Sequence, residues 1–505
     1  MERFKESGVF GVLLAGLFLA LLAGSSFLAS WLDMQTALAG GVALVVVMVV
    51  FFKTEYAIYL LILSTLLSPE FGFGATGGSS MGRGVTFRFE DILVLLVGAS
   101  WLIKNAVFKD LGIVRRTSLN SPMWLYIFAC VVATLWGVVQ GRVGWMTGTL
   151  FVAKYVQYFV IFFLVINTIQ REDQIRRYWR VMLATAVIVG LVGFSQIASG
   201  QRVSAPFEGA QPEPNTFGGY LAFLVLLCLA LFLYARDWKN RLLYLGLTSF
   251  LMVPLMYTLS RSSYLAVLAG VPILLILQRK NIMTYVLMAG LLLAAAFPQL
   301  FLPRPVADRV AFTWSQEKTR NAPQVEVMGQ RIDSSTSARL ASFSEALNDF
   351  VKKPVLGYGV TGWHFIDSQF FRTLVETGLV GFGAFVFLLS RLFQLGMDRW
   401  RRFRGDPFYG GLAAGFLAGL VGLLFHALGS NTFIIVRVME PFWIVTGLVF
   451  MTAWAEGQSQ TGKPTLVQDS NLRVRRREVP KPQPSPWQTL SRPSAGRIHD
   501  HRFNL

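Results

Sequence analysis

Long blocks of apolar residues set the architecture of this chain. Runs fall at residues 8–30, 34–52, 55–68, 90–104, 121–140, 148–168, 181–198, 214–234, 242–259, 261–278, 282–302, 369–390, 407–428 and 432–453. At 1.5 Å of rise per helical residue, about 20 such residues cross a hydrocarbon layer, and several of these runs fall short. The pattern predicts an all-α polytopic membrane bundle of about 12–14 transmembrane helices. One stretch interrupts it. Residues 1–302 read as transmembrane helices, 303–368 as a large polar loop, 369–453 as the C-terminal transmembrane helices, and 454–505 as a basic tail. A membrane protein that keeps its loops short and expands one concentrates its chemistry there.

The loop divides in two. Residues 303–334 are polar and without periodicity, which predicts irregular structure. Residues 335–350, STSARLASFSEALNDF, place Leu340, Phe343, Leu347 and Phe350 at helical spacing, which predicts an amphipathic helix on the membrane surface or capping a cavity. Lys352, Lys353 and Pro354 stop that helix, and the glycines of LGYGVTGW supply tight turns.

Charge then orients the bundle. Hydrophobic residues make up 54% of the chain and charged residues 15%, well below the roughly 25% of a soluble domain. Lysine and arginine number 46 against 28 acidic residues, a net +18. The excess sits in the tail and in short loops rather than on a nucleic-acid-binding face, the loop clusters being Lys104 to Arg116, Arg171 to Arg180, Arg236 to Arg241, Arg279 and Lys280, and Arg391 to Arg404. With the N-terminus inside, all these clusters fall on the cytoplasmic side. Both termini are then cytoplasmic and the loop 303–368 is exterior. The first run follows Arg3 and Lys5 and exceeds twenty residues, which favours a retained span over a cleaved signal. The tail, with RVRRR at 473–477 and PKPQPSP at 480–486, buries too little apolar surface to fold alone and reads as disordered. Cys130 and Cys228 lie in separate apolar runs and read as packing residues.

Candidate chemistry gathers on the exterior side. Arg202 lies in SGQRVSAPFEGAQPEPN at 199–215, where three prolines interrupt helix. Arg261 lies in SRSS at 260–263, squeezed between two apolar runs. A guanidinium at the bilayer edge either snorkels to headgroups, forms a salt bridge, or meets an anion. Two on one face, with Lys154 inside an apolar span, point to a buried anion site, and guanidinium pairs bidentately with phosphate oxygens. Asp367 stands at a helix start, as a cap or as a proton acceptor. Arg372 and Glu376 are four apart, the spacing of an ordinary helix pair. His426 lies in an apolar run and reads as packing, His499 and His501 belong to the tail, and no metal-ligand spacing occurs. Neither metal nor cofactor is therefore expected.

These pieces resemble the O-antigen ligase and O-antigen polymerase superfamily of bacterial membrane glycosyltransferases. The resemblance rests on Arg202 followed by EPNTFGGYL at 213–221, SRSSYLAVLAG at 260–270, a helix with Arg339 leading to PVLGYG at 354–359, and DSQFFRTLVETGLVG at 367–381. It covers roughly residues 90–453. It implies a polyprenyl-diphosphate-linked glycan donor whose diphosphate meets Arg202 and Arg261, a glycan or lipid-linked acceptor, and no nucleotide sugar or metal. It places the protein in the bacterial cytoplasmic (inner) membrane, among membrane lipids and other polysaccharide assembly proteins. Ligases of the family usually carry a His-Asn pair where this chain has Asp367-Ser368, so the chain looks more like the polymerase branch, and His364 stands as a second candidate base. Lys154, Arg339, Gln369 and Arg372 are candidate substrate contacts. A lipid-oligosaccharide flippase or other secondary transporter remains the alternative. Transporters place charges near the bilayer midplane and tend to carry repeats, whereas here charge concentrates at one face and no repeat is visible.

Overall fold

The computed structural model describes residues 54–68, 70–72, 86–108, 115–207, 213–278, 282–312, 326–327, 330–331 and 333–461. The runs at 8–30 and 34–52 and the tail beyond residue 461 lie outside them. The described helices are α1 (Thr54–Leu67), α2 (Phe89–Phe108), α3 (Asn120–Val139), α4 (Trp145–Thr168), α5 (Glu172–Ala198), α6 (Pro214–Tyr234), α7 (Trp238–Tyr257) and α8 (Arg261–Leu277). After them come α9 (Ile282–Ala296), α10 (Pro298–Phe301), α11 (Arg304–Ala311), α12 (Ser334–Lys352), α13 (Gln369–Phe403), α14 (Tyr409–His426), a 3-10 turn at Thr432–Ile434 and α15 (Val436–Thr461). Two short antiparallel hairpins accompany them, Glu70–Gly72 with Thr86–Arg88 and Glu326–Val327 with Gln330–Arg331. Seven described helices are long and apolar enough to span a membrane, namely α3, α4, α5, α6, α13, α14 and most of α15. This is an all-α polytopic membrane bundle.

The centre is α6. Its sequence is apolar on every side, so no face can be left to water, and every residue from Thr216 to Tyr234 is buried. Small residues let its neighbours approach. A Cβ on Gly218 would lie 2.1 Å from the Ser263 hydroxyl of α8, and Gly415 and Gly419 of α14 rest on Leu227 and Phe223. Cys130 on α3 and Cys228 on α6 are free and buried in this core.

The described residues of the interval after α9 include elements that its sequence does not suggest. Residues 303–334, read as irregular, contain the short helix α11, with Val306 and Ala307 buried, and a small hairpin. The expected amphipathic helix forms as α12, but its apolar stripe splits. Phe343 stacks on Phe371 at 4.4 Å while Leu340 and Leu347 stay exposed.

Helix α13 is broken at Gly378, whose φ of 64° and ψ of −166° leave the helical region. The PVLGYG segment fills the break. Tyr358 and Gly359 donate backbone N–H bonds to the Val375 and Glu376 carbonyls (3.0 and 2.7 Å), and Leu379 donates to Pro354 (2.8 Å). A Cβ on Gly378 would meet the Val355 carbonyl oxygen at 2.2 Å, and its φ is one that only glycine adopts freely. Gly378→Ala is therefore expected to destabilise the protein by at least about 2 kcal/mol. The thermal unfolding midpoint of the purified protein measures this, and an unchanged midpoint would show that the break is dispensable.

The loops segregate to two ends. At one, Arg236 donates to the Gly405 carbonyl (2.6 Å), Tyr409 donates to Glu172 (2.6 Å), Arg176 lies over Phe408, and Arg115 donates to the Ile169 carbonyl (3.1 Å). Described members of four of the five basic clusters that set the sequence-based orientation therefore lie at the same end. At the other end, the 199–207 segment, the turn at 258–260, α11, α12 and the 353–368 segment converge.

Candidate active site

The site begins where α5 stops. Gly200, at φ +71°, turns the chain back, Val203 donates its N–H to the Tyr257 carbonyl (3.2 Å), and Ser204 donates to the Gln196 side chain (2.9 Å). This docks the segment on the end of α7, where Leu259 takes a positive φ of 51° that is unusual for a branched residue. The turn presents two carbonyls: Arg202 donates from Nε to Thr258 (2.7 Å) and from a terminal nitrogen to Leu259 (3.1 Å). Burial lowers the Arg202 guanidinium below its ordinary value, and neighbouring Arg309 and Arg261 push the same way. Ser260 then caps α8, accepting from the Ser263 N–H, and Arg261 opens that helix.

Arg261 reaches 72 residues along the chain to Asp333. Its two terminal nitrogens grip the two carboxylate oxygens at 2.6 and 3.1 Å. Asp333 is also the N-cap of α12, accepting from the N–H groups of Ser335 and Thr336. Burial would raise its carboxyl, but hydrogen bonds from Arg261 and Thr336 outweigh it and hold the group down at about 2. A depressed carboxylate stabilises the fold above its unfolded value of about 4, so this contribution is lost only as pH falls from there through about 2.

One turn and a half further along α12, Arg339 pairs with Asp367, its terminal nitrogen 3.2 Å from Oδ2. Between these pairs sits Arg309 of α11. Burial lowers its guanidinium, Arg261 and Arg339 push the same way and Asp333 opposes them. Its Nε is buried, and among the described residues it has no hydrogen-bond partner. Among the described residues, four guanidinium groups thus face two carboxylates, an excess of two positive charges, with one buried donor unspent.

Of the residues expected from sequence, Arg202, Arg261, Arg339 and Asp367 come together here. Asp367 is not a helix cap: the cap residue is Ser368, which makes no side-chain cap bond, and the Asp367 carboxylate turns to Arg339 instead. His364 lies alongside, its Nε2 3.4 Å from Glu345 and its ring against Trp363. The other three have different partners. Gln369 is fully buried and stitches α13, donating to Thr373 (3.1 Å) and accepting from the Phe433 N–H (3.1 Å). Arg372 pairs with Glu376 at 3.1 Å, four residues on, and Glu376 also accepts from the Thr361 N–H. Lys154 is bound by both oxygens of Asp91 at 2.5 and 2.6 Å, in a separate buried group with Glu90, Gln157 and Glu440. His426 is buried with Nδ1 2.7 Å from the Thr432 hydroxyl, as a packing residue would be.

Sequence reasoning missed Arg309 and Asp333. An N-cap signal was present, aspartate followed by SST ahead of an amphipathic run. For Arg309 the sequence carried no signal; the packing of α11, with Val306 and Ala307 buried beside it, brings it to the cluster.

No curated protein matches the chain. Residues 247–386 match the family model described as O-Antigen ligase, and that stretch, which takes in Arg261, Arg309, Asp333, Arg339 and Asp367, supports placing this multi-pass membrane protein in the O-antigen ligase and polymerase superfamily.

Proposed function

We propose that this protein is a membrane glycosyltransferase that joins polyprenyl-diphosphate-linked oligosaccharide units on the exterior face of the bacterial cytoplasmic membrane, as a polymerase in surface-polysaccharide assembly. The observation that carries this reading is the arginine cluster: the excess of two positive charges among the described residues, beside a proton acceptor, matches a departing diphosphate and an attacking hydroxyl. Arg202, Arg261 and Arg309 hold the diphosphate, the unspent Arg309 Nε–H donating to a phosphate oxygen. The acceptor hydroxyl gives its proton to Asp367 as its oxygen bonds to the anomeric carbon. The bond from that carbon to the phosphate oxygen breaks, and its electron pair leaves with the polyprenyl diphosphate. Arginine stays protonated throughout, so no general acid is needed to release the leaving group. Arg339 keeps the Asp367 carboxylate oriented. The aspartate at this place favours polymerase over ligase, because the superfamily's ligases usually carry His-Asn there. The segregated basic loops support cytoplasmic termini.

A transporter of the same lipid-linked units is the second reading, favoured by the buried group of Lys154, Asp91 and Glu440, in which Lys154 and Glu440 lie on spanning helices. Cells lacking the protein separate the possibilities. A polymerase loss leaves single repeats on lipid carrier, accessible to an impermeant reagent outside, and surface glycan one repeat long. A ligase loss leaves long polymer unattached. Single repeats shielded inside the membrane would replace the transferase reading with transport.

A further inference from the structure

The 363–367 segment runs back along α12 in register with it. Trp363 donates from Nε1 to Asp349 (2.9 Å), His364 lies 3.4 Å from Glu345, and Asp367 meets Arg339. Ten residues of helix span about 15 Å and four of extended chain about 13 Å, so the two edges match in length over this distance. Aromatic rings lie on the 363–365 edge and carboxylates on the α12 edge. The His364 ring lies against Trp363 at a tilt of 31°, Phe365 is 38% exposed, and the Glu345 side chain is 59% exposed. The strip between the two edges ends at the candidate base.

That composition fits a saccharide. The faces of a pyranose ring present C–H groups whose positive edges suit the negative face of an aromatic ring, while its hydroxyls donate to carboxylates. A strip of about 13 Å accommodates two to three sugars. An aromatic anchor at the membrane interface would explain Trp363 alone. It does not explain why two carboxylates line the same strip or why the strip ends at Asp367. Resting on the transferase reading, we propose that Trp363, His364, Glu345 and Asp349 form the acceptor subsite, which lays the growing glycan along α12 so that its terminal hydroxyl reaches Asp367.

The test uses the full chain in lipid nanodiscs with the lipid-linked glycan pool extracted from cells lacking it. Trp363→Ala and the exposed Glu345→Ala should each raise the half-saturating pool concentration roughly tenfold, the equivalent of one lost contact. Plateau rate and affinity for sugar-free polyprenyl diphosphate should stay within about twofold. Trp363→Phe, which keeps a ring and loses the bond to Asp349, should recover most of the Trp363→Ala defect. Two results overturn the subsite: unchanged half-saturation in both alanine variants, or equal weakening of sugar-free diphosphate binding, which would place their action on the arginine cluster or the fold. A wild-type chain that forms no product from the pool removes the transferase reading itself, and the subsite with it.

Discussion

Arg261→Lys is expected to lower transfer by roughly 10²-fold or more, although the charge is kept. The reason lies in the fork. Arg261 spans both oxygens of Asp333 with its two terminal nitrogens, the contact geometry that two oxygens of a diphosphate also require. A lysine ammonium is a point charge that can address one oxygen well and the pair poorly. The fold should survive, because Asp333 still caps α12 through Ser335 and Thr336 and the Arg261 side chain is 20% exposed. Membrane levels of the variant should therefore match wild type while the surface glycan of complemented cells shortens to single repeats. Normal polymer from a normally expressed Arg261→Lys protein would mean that the arginine anchors α8 to α12 and that the diphosphate binds elsewhere.

How far the sequence foretold this arrangement depended on distance along the chain. Helix α6 was legible because its signal is local: an apolar residue at every position can only be a buried helix. Helix α12 was legible for the same reason. The break in α13 was not, since glycine in a helical run is compatible with an intact helix. What forces the break is the backbone of residues 354–359 entering at Gly378. The partner of Lys154 was not legible either, because Asp91 lies 63 residues upstream at the start of another helix. The same limit hid the pairing of Arg261 with Asp333, because nothing near either residue encodes the other. Arg202 and Arg261 stood out in the sequence because each carries its own unusual context, an arginine at the rim of an apolar run. Arg309 has no such context, and only the packing of α11 reveals it.

Asp367→Asn is expected to reduce transfer by roughly 10²-fold or more while leaving the protein abundant in the membrane. Asparagine has the same shape and removes the proton acceptor. The usual objection, that such a change perturbs a helix start, does not apply, because Ser368 is the cap residue and Asp367 makes no cap bond. A different objection does apply: the substitution strips Arg339 of its carboxylate partner, so activity could fall through the stray guanidinium. The double variant Asp367→Asn with Arg339→Gln answers it. A carboxylate that only neutralises Arg339 predicts recovery in the double variant, whereas a base predicts that the defect persists, since no second acceptor has been supplied. His364→Ala completes the comparison. Acting as an acceptor-subsite wall, His364 should shift half-saturation and spare the plateau rate. Acting as the base, it should abolish the plateau rate at every acceptor concentration. If Asp367→Asn retains full activity and His364→Ala loses it, the base lies three residues upstream. Full activity in both would leave departure of the diphosphate driven by the arginines alone, or transport in place of transfer.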